Sequence, residues 1–248
     1  MILLTSRKDP VVLQAEQWKE HPSAETFLVE GYRFVREIPS QALRCIFTRC
    51  PEKHRELLEA NCTVPTYQVT ESIMKKISSA KSGQEIVCAV RKPPRPCPKR
   101  LVLLDGVQDP GNVGTIVRTA YAFGFGVVVS PDSADPFSQK VINSTAGAFL
   151  HCYIQREDPK KTILQQKKVG AKILGAAIDQ RALPPEQMET TPPLVLVIGN
   201  EGQGISPAVL ELCDQKVYIP MLRPFNSLNA ATAAAILIYA FRERSKPV

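Results

Sequence analysis

Three stretches of this 248-residue chain place polar, chemically capable side chains directly after apolar runs. The first is Asp105-Gly-Val-Gln-Asp-Pro-Gly-Asn-Val-Gly-Thr-Ile-Val-Arg-Thr-Ala120. Asp109-Pro110-Gly111 is a turn signal, and Asn112 is positioned to open a helix running from Val113 through Phe123. Arg118 lies six residues beyond Asn112, near enough to two turns for both side chains to share one side of the helix start. An arginine there can grip a phosphate or stabilise a developing oxyanion. Read alone, the stretch is equally a capped helix with one surface arginine. The second runs from Leu194 to Ser206, with glycines at 199, 202 and 204. Glycines after a buried strand let a ligand approach the backbone, and a tight structural turn looks the same. Their G-x-x-G-x-G spacing is neither the dinucleotide fingerprint nor a P-loop, which argues against a nicotinamide-dependent oxidoreductase. The third runs from Val217 to Tyr239, where Ser227 or Asn226 can cap an Ala-rich helix whose small residues admit a close neighbour.

In this order, Asn112–Ala120, Gly199–Ser206 and Ile219–Ala234 resemble the SpoU/TrmH family of knotted RNA methyltransferases. That family's pattern is N-x-G-x-x-x-R-T-A, then a G-N-E-G-x-G-I-S-like segment, then I-P-M followed by S-L-N-x-A-x-A-A. The joint occurrence is far more specific than any one segment, and the resemblance covers about residues 101–244. Residues 1–90 resemble, more weakly, the small ribosomal-protein-like RNA-binding domain that many members carry in front, through Phe27-Leu-Val-Glu-Gly31 and Val69-Thr-Glu-Ser72. Two departures stand out: Asp9 precedes Pro10 where members often have Asn, and Arg223-Pro-Phe225 is bulkier than in many relatives.

The resemblance implies an α/β fold whose C-terminal methyltransferase domain ties a trefoil knot, an exception to the rule that chains do not thread loops. It implies S-adenosylmethionine bent within that knot, a homodimer built around the domain's first and last helices, and methylation of a ribose 2′-hydroxyl in structured RNA, ribosomal RNA foremost. The alternatives are a transfer-RNA ribose methyltransferase and a non-catalytic RNA-binding protein on the same scaffold. Cofactor contacts carry over to Gly199, Ile219 and Leu228, with Asn200, Glu201, Gly202, Pro220 and Met221 lining the same loops. Catalytic or substrate-positioning roles carry over to Asn112, Arg118, Glu201, Ser227 and Asn229. In family proposals the arginine matching Arg118 is the base. A guanidinium with a pKa above about 12 is a poor one, so the physical reading makes Arg118 a phosphate clamp and leaves the proton acceptor open. Glu201 then orders Arg118 or its own loop, while Ser227 and Asn229 hold the ribose.

The elements that must position these residues follow from apolar patterning. After residue 100, the runs Leu101–Leu104, Val127–Ser130, Ile173–Ile178, Leu194–Ile198 and Val217–Ile219 lack polar alternation, as strands of a largely parallel sheet covered on both faces do. Ligands of such sheets belong at the C-terminal strand ends. Residues 91–100 carry four prolines and five cations and read as an extended interdomain linker between domains at 1–90 and 101–248. In the first domain, periodicity predicts helices at Val11–Lys19, Lys53–Asn61 and after a Thr70 cap, a strand and helix within Phe27–Glu37, and strands at Cys45–Thr48 and Glu85–Val90. His21 and His54 are expected at the surface.

The charge is unevenly spread: residues 1–100 hold 17 Lys+Arg against 11 Asp+Glu, while residues 101–248 hold 14 against 13. A basic first half suits a polyanionic partner such as RNA. The 44% hydrophobic and 22% charged residues mark a folded globular chain. No stretch reaches the roughly 18 apolar residues that cross a bilayer, and the opening residues meet charge before a signal-peptide core develops, so the expectation is cytoplasmic. Seven cysteines without a C-x-x-C pair suggest neither disulfides nor a metal site.

Overall fold

A computed structural model describes residues 1–23, 25–80, 84–179, 181–188, 191–223 and 227–243. The chain divides into two compact units, Met1–Pro94 with Phe137–Ile142, and Arg95–Pro136 with Asn143–Val248.

The first unit is a five-stranded mixed sheet of β1 (Ile2–Leu4), β2 (Phe27–Glu30), β3 (Leu43–Thr48), β4 (Thr66–Val69) and β5 (Ile86–Val90), in the order β1-β4-β3-β5-β2. Helices Pro10–Glu20 and Glu71–Ile77 bury Val12, Ala15, Ile73, Met74 and Ile77 against Leu28, Phe47, Val87 and Ala89 of the sheet. Asp9 stands before Pro10 for a local reason. Its carboxylate accepts from the Val11 N–H at 2.9 Å, and Pro10 occupies a first-turn position that needs no amide. Thr70 caps the second helix as expected, accepting from the Ile73 N–H at 3.4 Å. Short strands β1 and β4 lay outside the sequence reading. Residues Phe137–Ile142, left by that reading in the second half, group here, and the Phe137 ring packs 5.3 Å from that of Phe27. His54 is not a surface residue: it is buried, its ring 5.3 Å from that of Tyr32, with Nδ1 3.1 Å from the Cys50 carbonyl. Burial pulls its pKa below the ordinary histidine value.

The second unit is a six-stranded, wholly parallel sheet of β6 (Arg100–Asp105), β7 (Gly126–Val129), β8 (Ile154–Arg156), β9 (Lys172–Ala176), β10 (Leu194–Gly199) and β11 (Gln215–Val217), in the order β11-β9-β10-β6-β7-β8. Both faces are covered, which is why its strands read as unbroken apolar runs. Leu101, Leu103, Val195 and Val197 pack with Ile163 of the Pro159–Lys168 helix and with Val209. The helices Pro110–Ala122 and Ala230–Ala240 pack on one another, and Phe123 meets Tyr239 edge-on at 5.5 Å. β11 ends at Val217 and so shares only that residue with the expected Val217–Ile219 strand. β8 was not foreseen. No helix among the described residues is long and apolar enough to cross a membrane.

Candidate active site

β6, β9, β10 and β11 end at one pole of the sheet, and the loops leaving them form the candidate site. β10 leads into a hairpin in which Asn200 and Gly204 exchange both backbone hydrogen bonds at 2.9 Å. This fold-back brings the chain so close to itself that a Cβ on Gly199 would overlap the backbone of Gly204 and Ile205. The Asn200 side chain then braces the turn: its Oδ1 accepts from the Gly202 and Gln203 amides, and its Nδ2 donates to the Gly106 carbonyl at 2.8 Å. Asp105, paired in register with Gly199, accepts from the Ser206 N–H at 2.8 Å and ties down the far end of the loop.

The loop after β6 is held from beneath. Gly106 and Val107 donate to the buried Ser130 and Ser133 hydroxyls at 3.0 and 2.9 Å. Asp109, not Asn112, caps the next helix, which begins at Pro110; its carboxylate accepts from the Asn112 N–H at 2.8 Å. Asn112 is thus already helical, and its side chain is released for another use.

That use is the centre of the site. The Ala230–Ala240 helix is capped by Asn229, not by Ser227, while Asn226, the other expected cap, lies outside the described residues along with Pro224 and Phe225. Asn229 Oδ1 accepts from the Ala231 and Thr232 amides at 2.9 and 3.2 Å. Its Nδ2 donates to Asn112 Oδ1 at 3.0 Å, and Asn112 Nδ2 donates to Glu201 Oε1 at 2.8 Å. Helix amides can only donate and a carboxylate can only accept, so the two ends of this chain fix the orientation of both asparagine amides between them.

Beside it lies a cavity of about 490 Å³. Of the expected cofactor residues, Gly199, Asn200, Glu201, Gly202, Ile219, Met221 and Leu228 line it, as does Ser227; Pro220 is exposed and is not part of the lining. The walls include Ala176, Ile178, Val217, Tyr218, Ala233 and Leu237, which the sequence reading did not name. Asp179, next to Ile178, is bonded to Lys216 Nζ at 2.7 Å and to the Arg181 amide, and these contacts hold its carboxyl below the usual range. Apolar walls with a few converging polar groups, in a space of this size, suit a molecule with a flat heterocycle and a charged end. S-adenosylmethionine fits that description.

Arg118 does not join this assembly. It is exposed, and among the described residues it has no hydrogen-bond or ion-pair partner. Six residues at 3.6 per turn leave it about 120° around the helix from Asn112, so the expected shared side is not realised, and Glu201 orders Asn112 instead of Arg118. Asp105, Ser130 and Ser133 were missed, although polar residues at the C-terminal ends of buried strands were a readable signal.

Comparison with known proteins agrees with this geometry. Residues 99–239, more than half the chain, match the SpoU rRNA Methylase family, and residues 12–88 match an MRM3-like substrate binding domain. The Bacillus subtilis 23S rRNA (guanosine(2553)-2′-O)-methyltransferase RlmP is 33% identical over 90% of this chain and 91% of its own. Among solved structures, a putative RNA methyltransferase of the TrmH family from Porphyromonas gingivalis superposes with a TM-score of 0.77 at 30% identity, covering 94% of this chain and 98% of that one. The SpoU methyltransferase AviRb from Streptomyces viridochromogenes, in complex with AdoMet, gives 0.76 at 27%, covering 94% and 97%. With its three polar segments gathered at one end of a parallel sheet and a family match across that whole sheet, this chain belongs to the SpoU rRNA Methylase family.

Proposed function

We propose that this chain is an S-adenosylmethionine-dependent methyltransferase that methylates a ribose 2′-hydroxyl in structured RNA, with ribosomal RNA as its substrate. The observation that carries the reading is the chain Asn229–Asn112–Glu201, which links all three polar segments beside a cavity of cofactor size. A scaffold that only bound RNA would have no need to hold a carboxylate oriented at that cavity. When bound, the cofactor supplies an electrophilic methyl group on a sulfonium. The glycine hairpin and the strand-end loops hold it, and alignment of the two reactants alone can lower such barriers by roughly 7–11 kcal/mol. Arg118, exposed and uncommitted, serves as a clamp on an RNA phosphate, and Ser227 holds the ribose.

The ribosomal preference rests on the substrate-binding match in the basic first unit and on the activity named for the Bacillus relative. A trefoil knot in the second unit, a homodimer and a cytosolic workplace complete the proposal. The dimer reading draws support from exposed Tyr121, Ile236 and Tyr239 on the two paired helices. Incubating the protein with radiolabelled S-adenosylmethionine and either ribosomal or transfer RNA, then mapping methylated riboses, tests the reading. Label confined to transfer RNA would move the substrate, and RNA binding without transfer of label would leave only a binding protein.

A further inference from the structure

Transfer of a methyl group to a hydroxyl also requires somewhere for the hydroxyl proton to go, and the candidates are few. Among the described residues no histidine lines the cavity. The carboxylates of Asp105 and Asp109 are engaged by the Ser206 and Asn112 amides, the side chains of Asn112 and Asn229 are neutral amides, and a guanidinium such as that of Arg118 stays protonated in proteins. Among the described residues, Glu201 is the only carboxylate in the cavity lining. One of its oxygens is fixed by Asn112 Nδ2 at 2.8 Å, and among the described residues no cation pairs with it.

We infer that Glu201 is the proton acceptor of the reaction, its second oxygen receiving the 2′-proton. This rests on the methyltransferase reading above and specifies a role that the reading leaves open. The step balances without any further reactant. The ribose 2′-oxygen bonds to the methyl carbon as the carbon–sulfur bond breaks, its electron pair staying on sulfur, and the proton passes from the 2′-oxygen to Glu201. A carboxylate is basic enough because the oxygen becomes a protonated ether as the methyl arrives, a far stronger acid than a carboxylic acid. Its basicity need not match a free hydroxyl. The polar chain behind Glu201 has a matching purpose. Asn112 can present only its NH₂ to Glu201, so it anchors one oxygen and leaves the other aimed by the first.

The test is E201Q, which keeps an oxygen for Asn112 and nearly the same volume but replaces the basic oxygen with an amide. With saturating cofactor and RNA, the single-turnover rate should fall by roughly 10²–10⁴, the range for a lost general base, while S-adenosylmethionine and RNA dissociation constants measured by calorimetry stay within about threefold of wild type. Formate added to E201A should restore activity in proportion to its concentration. An E201Q rate within tenfold of wild type, or a loss fully accounted for by weaker cofactor or RNA binding, would overturn the assignment while leaving the methyltransferase reading intact. A wild-type protein that binds both ligands but transfers no methyl group would overturn the activity itself, and this assignment with it.

Discussion

Asn229 Nδ2 lies 3.0 Å from Asn112 Oδ1, although 117 residues separate the two. The same Asn229 side chain also caps the Ala230–Ala240 helix through its oxygen, so its two ends do separable jobs. Asn229→Asp keeps the capping oxygen and loses the donor. Methyl transfer should drop at least tenfold with a melting temperature close to wild type. Asn229→Ala loses both, and should in addition lose about 1 kcal/mol of stability, the usual cost of a missing cap. Parallel calorimetric melts and single-turnover assays separate the two variants; equal melting losses in both would show that the amide donor is itself structural.

Gly199 and Gly204 face opposite constraints. A side chain at 199 would collide with the hairpin's own backbone, whereas at 204 there is open space but a φ of +71°. Gly199→Ala should open the hairpin and weaken S-adenosylmethionine binding at least a hundredfold. Gly204→Ala should cost about 1–2 kcal/mol of local strain and bind within about tenfold of wild type. Titration calorimetry with the cofactor alone, without RNA, ranks them.

Arg118→Ala should nearly abolish methyl transfer with little change in cofactor affinity, since the arginine is exposed and lies outside the cavity lining. Arg118→Lys discriminates between roles. A lysine with a pKa near 10.4 can act as a base at high pH but lacks the planar fork that grips phosphate. The lysine variant should stay impaired up to pH 10. Recovery of its single-turnover rate with rising pH would transfer the base role to this position.

How much of this was legible beforehand divides along local and non-local lines. Strand cores such as Leu101–Leu104 and Leu194–Ile198 were readable because burial on both faces leaves an unbroken apolar signature. β1, β4 and β8 were not, being three or four residues long with polar neighbours. At the site, residue types identified Asn112, Glu201 and Asn229 but not their partners. The sequence reading put the helix start at Asn112 because asparagine is a good cap; Asp109 is an equally good one three residues earlier, and Pro110 after it was the deciding signal. A spacing of six residues falls short of two full turns, which is why Arg118 and Asn112 do not share a side of the helix.

His54 gives a pH test of the first unit. Burial lowers its folded-state pKa below the ordinary 6.5, so the unfolded chain takes up the proton more readily. The stability it contributes is complete above about pH 6.5 and is lost as pH falls through the folded value. Melting temperature should therefore decline between pH 7 and 5, and His54→Gln should flatten that decline. An unchanged slope in the variant would assign the acid sensitivity to other groups.

The first unit also carries the charge excess. Deleting residues 1–95 should leave cofactor binding largely intact while strongly weakening RNA binding, and the salt dependence of RNA affinity should become shallower in the truncated protein because fewer phosphate contacts remain. Equal affinities of the truncated and full-length proteins for ribosomal RNA fragments at moderate salt would overturn that division of labour.

The polar chain through residues 112, 201 and 229 has a kinetic corollary. Its contacts close loops of 89 and 117 residues, and contacts of such sequence separation are the slow ones to form in a folding chain. The polar chain behind the carboxylate at 201 is complete only after the helix at 230–240 has docked, so no intermediate lacking that last helix presents a finished site. In a refolding experiment, recovery of methyl transfer should lag behind recovery of helical circular dichroism, which makes catalytic competence the last property the chain acquires.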